Sequence, residues 1–157
     1  MDDRLFRNAM GKFATGVTVI TTEVDGEAHG MTANAFMSVS LDPKLVVISI
    51  GEKAKMLEKI NQSGTFAVNI LAAEQQEVSM LFAGQIKEKR ETEFDRIQDV
   101  PVIKDALANI VCKVYSKQAA GDHTLFIGEV QDIVLREGAP LTFFAGKYGE
   151  ITERQPV

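Results

Sequence analysis

Tryptophan is absent from this 157-residue sequence, and cysteine occurs once, as Cys112. A single thiol cannot close an internal disulfide. Flanked by Ile110, Val111 and Val114, it reads as a small buried hydrophobe rather than a nucleophile. Histidine occurs only at positions 29 and 123, so no zinc-type His/Cys constellation can be assembled and no metal site is expected. Positive charge is also scarce. Lysine and arginine total 17 against 22 acidic residues, a formal net charge of −5 with no concentrated basic patch. That excludes the counterion-displacing surface a nucleic-acid binder needs. The longest aliphatic run, Leu45 to Ile50, is interrupted by Ser49 and falls far below the roughly 20 residues of a membrane span. The start, Met1-Asp2-Asp3-Arg4, does not have the form of a secretory signal. These absences lead us to expect a soluble chain in a reducing cytoplasm, with no membrane and no nucleic-acid partner.

What remains is ordinary globular composition, 45% hydrophobic and 25% charged, and we expect one domain over 1–157. Leu5, Phe6, Ala9, Met10 and Phe13 fall at helical spacing over 4–13, with Asp2 and Asp3 suited to the helix N-terminus. The β-branched run 17–22 predicts a strand, and Asp25-Gly26 predicts a two-residue hairpin turn into a second strand from Glu27. Residues 45–50 read as a fully buried strand, 53–62 as a helix buried through Met56, Leu57 and Ile60, and 66–70 as a strand. Residues 73–83 read as a helix closed by Gly84. Eight of the ten residues from Lys87 to Arg96 are charged, which predicts a solvated excursion. Strands are expected again at 110–115, 124–135 and 141–144. Many hairpin-linked strands with short helices between them predict a mainly β fold, a closed antiparallel barrel.

The run Gly30-Met31-Thr32-Ala33-Asn34-Ala35-Phe36-Met37-Ser38-Val39-Ser40 contains no charged residue. Read as one extended segment, it places Thr32, Asn34, Phe36, Ser38 and Ser40 on one face and Met31, Ala33, Ala35, Met37 and Val39 on the other. A half-buried strand with a wet polar face is one reading. A pocket for a polar heterocycle is the other, since short amides and hydroxyls supply directional hydrogen bonds and close backbone approach.

The same run, continued through Leu41-Asp42-Pro43, closely resembles the signature of the flavin reductases with an FMN-binding split-barrel fold. Further blocks in order carry the resemblance: residues 13–21, Asn69-Ile70-Leu71, Phe82-Ala83-Gly84, residues 121–130 from Gly121-Asp122-His123, and Pro140-Leu141 with Gly146-Lys147-Tyr148. The match extends from about Arg4 to Tyr148 and looks nearest to the reductase components of two-component phenol or aromatic monooxygenases. The resemblance implies a split, Greek-key antiparallel barrel and an NAD(P)H:flavin oxidoreductase of the EC 1.5.1 type. Hydride would pass from NADH to FAD, with FMN as second choice, and reduced flavin would leave for a partner monooxygenase. It also implies a homodimer.

By resemblance, Thr32, Ala33, Asn34 and Ala35 lie against the flavin ring and ribityl chain, with Ser38 and Val39 near the ring system. Ser49, Lys53, Ala54 and Lys55 would hold phosphate, with Lys59 further along the same helix. A helix N-terminus with two lysines suits an anion, although a solvated helix face would carry the same residues. Relatives often have small hydroxyl residues where this chain has lysine and alanine. Phe82, Ala83 and Gly84 border the flavin or simply end a helix; both readings hold together. His123 is implied as the catalytic residue on the nicotinamide side, orienting the donor or managing a proton. Tyr148 is a second nicotinamide contact. His29 is expected to be exposed and without a role. The rivals are a flavin-binding electron-transfer or sensor module without turnover, and a pyridoxamine-phosphate-oxidase-like enzyme, which would lack the Gly-Asp-His block.

Overall fold

The computed structural model describes residues 1–87 and 92–157. Asp2 caps α1 (Asp3–Met10), its carboxylate accepting the Arg4 backbone N–H at 2.9 Å. The helix ends three residues before the expected Phe13, where Gly11 takes the C-cap position, and none of its residues is buried. A two-residue strand β1 (Thr15–Gly16) precedes the hairpin of β2 (Thr18–Val24) and β3 (Glu27–Ala33). Asp25 and Gly26 turn it with φ of 53° and 77°, the left-handed pair expected of a tight hairpin. There follow β4 (Phe36–Leu41), β5 (Lys44–Gly51), α2 (Lys55–Ser63), β6 (Thr65–Ile70), a 3-10 turn (Ala73–Gln75) and α3 (Gln76–Phe82). The chain then forms β7 (Phe94–Ile97), β8 (Val100–Ile103), β9 (Ala108–Ala120), β10 (His123–Leu135), β11 (Thr142–Phe144) and β12 (Lys147–Gly149).

Seven strands form one antiparallel sheet in the order β3-β2-β6-β9-β10-β5-β4. Its two edge strands, β3 and β4, are consecutive in the chain and are linked only by Asn34 and Ala35. Three peptide units span at most about 11 Å, so the sheet must curl until its edges meet at that end. The fold is therefore a mainly β split barrel, as expected. Inside it, Ile20, Ile48, Ile50, Phe66, Val68 and Phe126 are fully buried, and Met56 and Ile60 of α2 join them. Each large apolar side chain sealed there contributes about 1.5–3 kcal/mol. A second cluster, Val19, Leu71, Ile103 and Leu141 with Phe82 and Tyr148, lies on the other face of β2. Covered on both faces, β2 is buried from Thr18 through Thr22.

Several expectations are corrected. Residues 30–40 are not one extended segment. In β3 the odd residues Met31 and Ala33 pack on the core, whereas in β4 it is the even residue Phe36 that does so. The Asn34-Ala35 link carries the chain from one sheet edge to the other and reverses which face looks inward. A bulge between Ser38 and Ser40 shifts the register again. β5 is buried only at alternate positions, Val46, Ile48 and Ile50. In the stretch 87–96, residues 88–91 lie outside the described residues, and Phe94 begins β7, its ring against Phe82 with centroids 6.0 Å apart. The β7–β8 hairpin was not foreseen, because Pro101 argues against a strand; Pro101 instead turns its carbonyl to Thr21 Oγ1 at 2.6 Å. Cys112 is fully buried as expected, and burial pushes its thiol up to about 12. Among the described residues no helix is long and apolar enough to cross a membrane, and no His/Cys/Asp/Glu cluster could hold a metal ion.

Candidate functional site

Strand alternation builds the wall of a large cleft. With Val46, Ile48 and Ile50 turned inward, Val47 and Ser49 of β5 face the opposite side. Register extends that face, since Met37 pairs with Val47, Val47 with Ile127, and Ser49 with Leu125. Phe13, Thr15 and Gly16 approach from the β1 side, and Asn34-Ala35 lies between the two walls. The open cleft has a volume of about 920 Å³, within the roughly 300–1,000 Å³ of small-molecule sites. Apolar side chains predominate, with a few polar groups among them. Of these, Asn34 and Ser49 make no side-chain hydrogen bond among the described residues, and Thr15 Oγ1 is buried with no partner. Thr18 is satisfied, donating to the Ala33 carbonyl at 2.6 Å.

Two further cavities share Asn34 with this cleft. One of about 180 Å³ is lined by Thr32, Ala33, Asn34, Ala83 and Tyr148. There Thr32 Oγ1 donates to the Ser79 carbonyl at 2.6 Å, and the Tyr148 hydroxyl shares a 2.8 Å hydrogen bond with Ser79 Oγ. The other, about 560 Å³, runs between α1 and the β11–β12 turn and also shares Phe13. Beyond Gly51, Lys53, Ala54 and Lys55 line a separate groove of about 420 Å³ together with Glu52 and Glu58. Lys59 lines a fifth, of about 380 Å³, where its ammonium donates to His29 Nε2 at 3.1 Å. His29 is thus half-buried and engaged, not exposed.

The structure therefore brings Asn34, Ala35, Val39 and Ser49 into one cleft, with Thr32, Ala33, Ala83 and Tyr148 contiguous through Asn34. Lys53, Ala54 and Lys55 sit apart from it, and Lys59 further still. Ser38 is exposed on β4 opposite Val46 and lines none of these spaces. Phe82 is committed to packing: a Cβ on Gly30 would lie 2.7 Å from its ring. Gly84, at φ 74°, ends α3. His123 opens β10 opposite Gly51, about half exposed, and lines none of the five cavities. Its Nδ1 donates to Asp122 Oδ1 at 2.6 Å. That hydrogen bond, then attraction between the two groups and a smaller pull from Lys53, hold the Asp122 carboxyl below the ordinary carboxylate range. Sequence reasoning missed Val47, Leu125, Ile127 and Thr15 as cleft residues. The alternation of 45–50 held the signal for Val47.

A family model, the flavin reductase like domain, matches residues 10–152. The chain belongs to this flavin reductase-like family. An NADH-dependent flavin reductase of Rhodococcus sp is 46% identical over 90% of this chain and 82% of its own length. The reductase component of the 4-hydroxyphenylacetate 3-monooxygenase of Thermus thermophilus is 40% identical, over 91% of this chain and 93% of its own. Among solved structures, flavin reductase PheA2 in its native state shares 65% identity over 98% of this chain and all of that one, with a TM-score of 0.96. The residues of this flavin reductase-like chain fit the group its family name implies. Apolar side chains predominate on the cleft's walls, and its Asn34 amide, Ser49 hydroxyl and buried Thr15 hydroxyl have no side-chain partner among the described residues.

Proposed function

We propose that this chain is an NADH-dependent flavin reductase that supplies reduced flavin to a separate monooxygenase. The observation that carries this is the cleft at Asn34, lined mainly by apolar side chains and holding a buried Thr15 hydroxyl with no protein partner. The family match and the printed activities of the Rhodococcus and Thermus relatives support it. Flavin bound there would accept a hydride from C4 of NADH at its N5 atom. The protein's share is positioning. Met37, Val47, Leu125 and Ile127 offer a water-excluding surface, while Asn34 and Ser49 offer hydrogen bonds that fix one ring orientation. Thr32, Ala33 and Ala35 complete the boundary near the barrel closure, with Val39 at the rim. Lys53 and Lys55 are assigned to a phosphate beyond Gly51. His123 is assigned to the donor side, where an imidazole can orient the nicotinamide or pass on a proton. Tyr148 is placed as a second nicotinamide contact.

FAD is the preferred flavin, with FMN accepted, in an EC 1.5.1-type reaction serving an aromatic-compound oxygenase in the cytoplasm. The chain would act as one domain within a homodimer, an arrangement supported by exposed Tyr115, Ile133, Val134 and Leu135 on the long β9–β10 hairpin. The test is NADH consumption, followed at the nicotinamide absorbance with FAD, FMN or neither. Turnover that requires added flavin is expected. Flavin binding without NADH oxidation would instead identify a binding module without turnover.

A further inference from the structure

We propose that Met37 is an oxidation site through which hydrogen peroxide lowers the chain's affinity for flavin. This rests on the reductase reading above, which supplies the oxidant. Reduced flavin that no oxygenase takes up passes its electron pair and protons to dioxygen, leaving oxidised flavin and hydrogen peroxide. A thioether sulfur then attacks one peroxide oxygen, and the O–O bond breaks. The sulfur is oxidised to the sulfoxide, and the other oxygen leaves as water.

The chain has one cysteine and six methionines to offer such an oxidant. Cys112 is fully buried and its thiol is held protonated, so it is closed to the reaction. Met56 is 3% exposed, and Met31 packs on the same core. Met80 is partly covered on α3, its sulfur accepting a hydrogen bond from Gln76 Nε2 at 3.9 Å. Met1 lines none of the five cavities. Two remain, Met37 at 60% exposure and Met10 at 56%. They are equally open to an oxidant and differ in what they border. Met10 lines the groove beside α1, whereas Met37 lines the cleft assigned to flavin. Its surroundings there make the change consequential. Two positions away along the chain are Ala35 and Val39, and across the ladder stands Val47, each lining the same cleft. None of these neighbours carries a side-chain donor. An S=O acceptor placed among them has no protein partner, and it turns a water-excluding wall polar. Peroxide made by idle turnover thus weakens flavin binding, and with it the consumption of further NADH.

The experiment treats the full chain, Met37→Leu and Met10→Leu in two ways. One supplies NADH and FAD in air without an oxygenase, with and without catalase; the other adds hydrogen peroxide directly. Peptide mass spectrometry locates the added oxygen. Fluorescence titration reads FAD affinity before and after treatment, and the unfolding midpoint reads the fold. In the original chain Met37 and Met10 should both gain oxygen, Cys112 should not, and catalase should prevent the gain during turnover. FAD affinity should fall about tenfold, the effect of roughly 1.4 kcal/mol, in the original chain and in Met10→Leu. Met37→Leu should bind FAD equally before and after treatment, and methionine sulfoxide reductases should restore the oxidised original. The midpoint should not move. Met37 left unmodified by turnover, or a Met37 sulfoxide with unchanged FAD affinity, would overturn the proposal. So would an equal loss of affinity in Met37→Leu. If the chain oxidises no NADH with either flavin, the reductase reading itself has failed. The added-peroxide treatment then still decides whether Met37 controls the cleft.

Discussion

Two asparagines, Asn69 and Asn34, lie on the same barrel in opposite circumstances. Asn69 is fully buried and every polar atom of its amide is used. Nδ2 donates to the Val19 carbonyl and Thr21 Oγ1, and Oδ1 accepts from the Ile103 N–H and Asn109 Nδ2 at 2.8–3.0 Å. Asn34 is exposed at the barrel closure, borders three cavities and has no side-chain partner among the described residues. The residue type is identical and the bonding opposite. A buried polar group satisfied within the protein is part of the fold, whereas one left unpaired at a cleft is available to a ligand.

The strongest way to break this contrast is Asn69→Leu. It leaves the Ile103 N–H buried without its acceptor and the Asn109 amide with only the Ile103 carbonyl, at about 1–3 kcal/mol for each lost partner. Chemical denaturation should show a loss of about 3 kcal/mol or more. A loss below 1 kcal/mol would mean that the network is not structural.

Glycines extend the comparison. A Cβ on Gly128 would lie 2.5 Å from Phe66 Cζ and 2.8 Å from Cys112 Cβ, whereas one on Gly16 meets nothing within 4 Å. Gly128→Ala should therefore cost about 1–3 kcal/mol by overpacking. Gly16→Ala should leave stability nearly unchanged and obstruct the cleft, which flavin titration would reveal as weaker binding.

Much of the barrel could be read from sequence because its signals are local: the Asp25-Gly26 turn, the β-branched run of β2, the Met56/Ile60 spacing of α2. The β7–β8 hairpin was hidden because Phe94 follows a charged stretch and Pro101 argues against a strand. Its strands are held by long-range partners, Phe82 and Thr21. The face reversal at Asn34-Ala35 was hidden for a related reason. Alternation assumes one continuous strand, and nothing local marks the step from one sheet edge to the other. Of the uncharged run, Asn34, Ala35 and Val39 line one cleft together with Ser49. Val47, Leu125 and Ile127 were missed because an apolar residue facing a cleft resembles one facing a core.

A smaller effect distinguishes the sealed side by pH. The folded Cys112 thiol, pushed up from 9.0 to about 12, keeps its proton where the unfolded thiol begins to lose it. Its stabilising contribution is therefore complete below pH 9 and is lost as pH rises toward 12. Between pH 8 and pH 10 the original chain should lose about 1 kcal/mol more than Cys112→Ala, as measured by denaturant unfolding. Equal losses would place the thiol in contact with solvent.

The central claim is that Asn34 serves a bound flavin and not the fold. The most direct measurement is paired on one variant, Asn34→Ala: the unfolding midpoint without flavin, and flavin affinity by fluorescence titration. The account predicts an unchanged midpoint with flavin affinity reduced by about tenfold, the effect of one lost hydrogen-bonded contact of roughly 1.4 kcal/mol. A lowered midpoint with flavin affinity intact would contradict it.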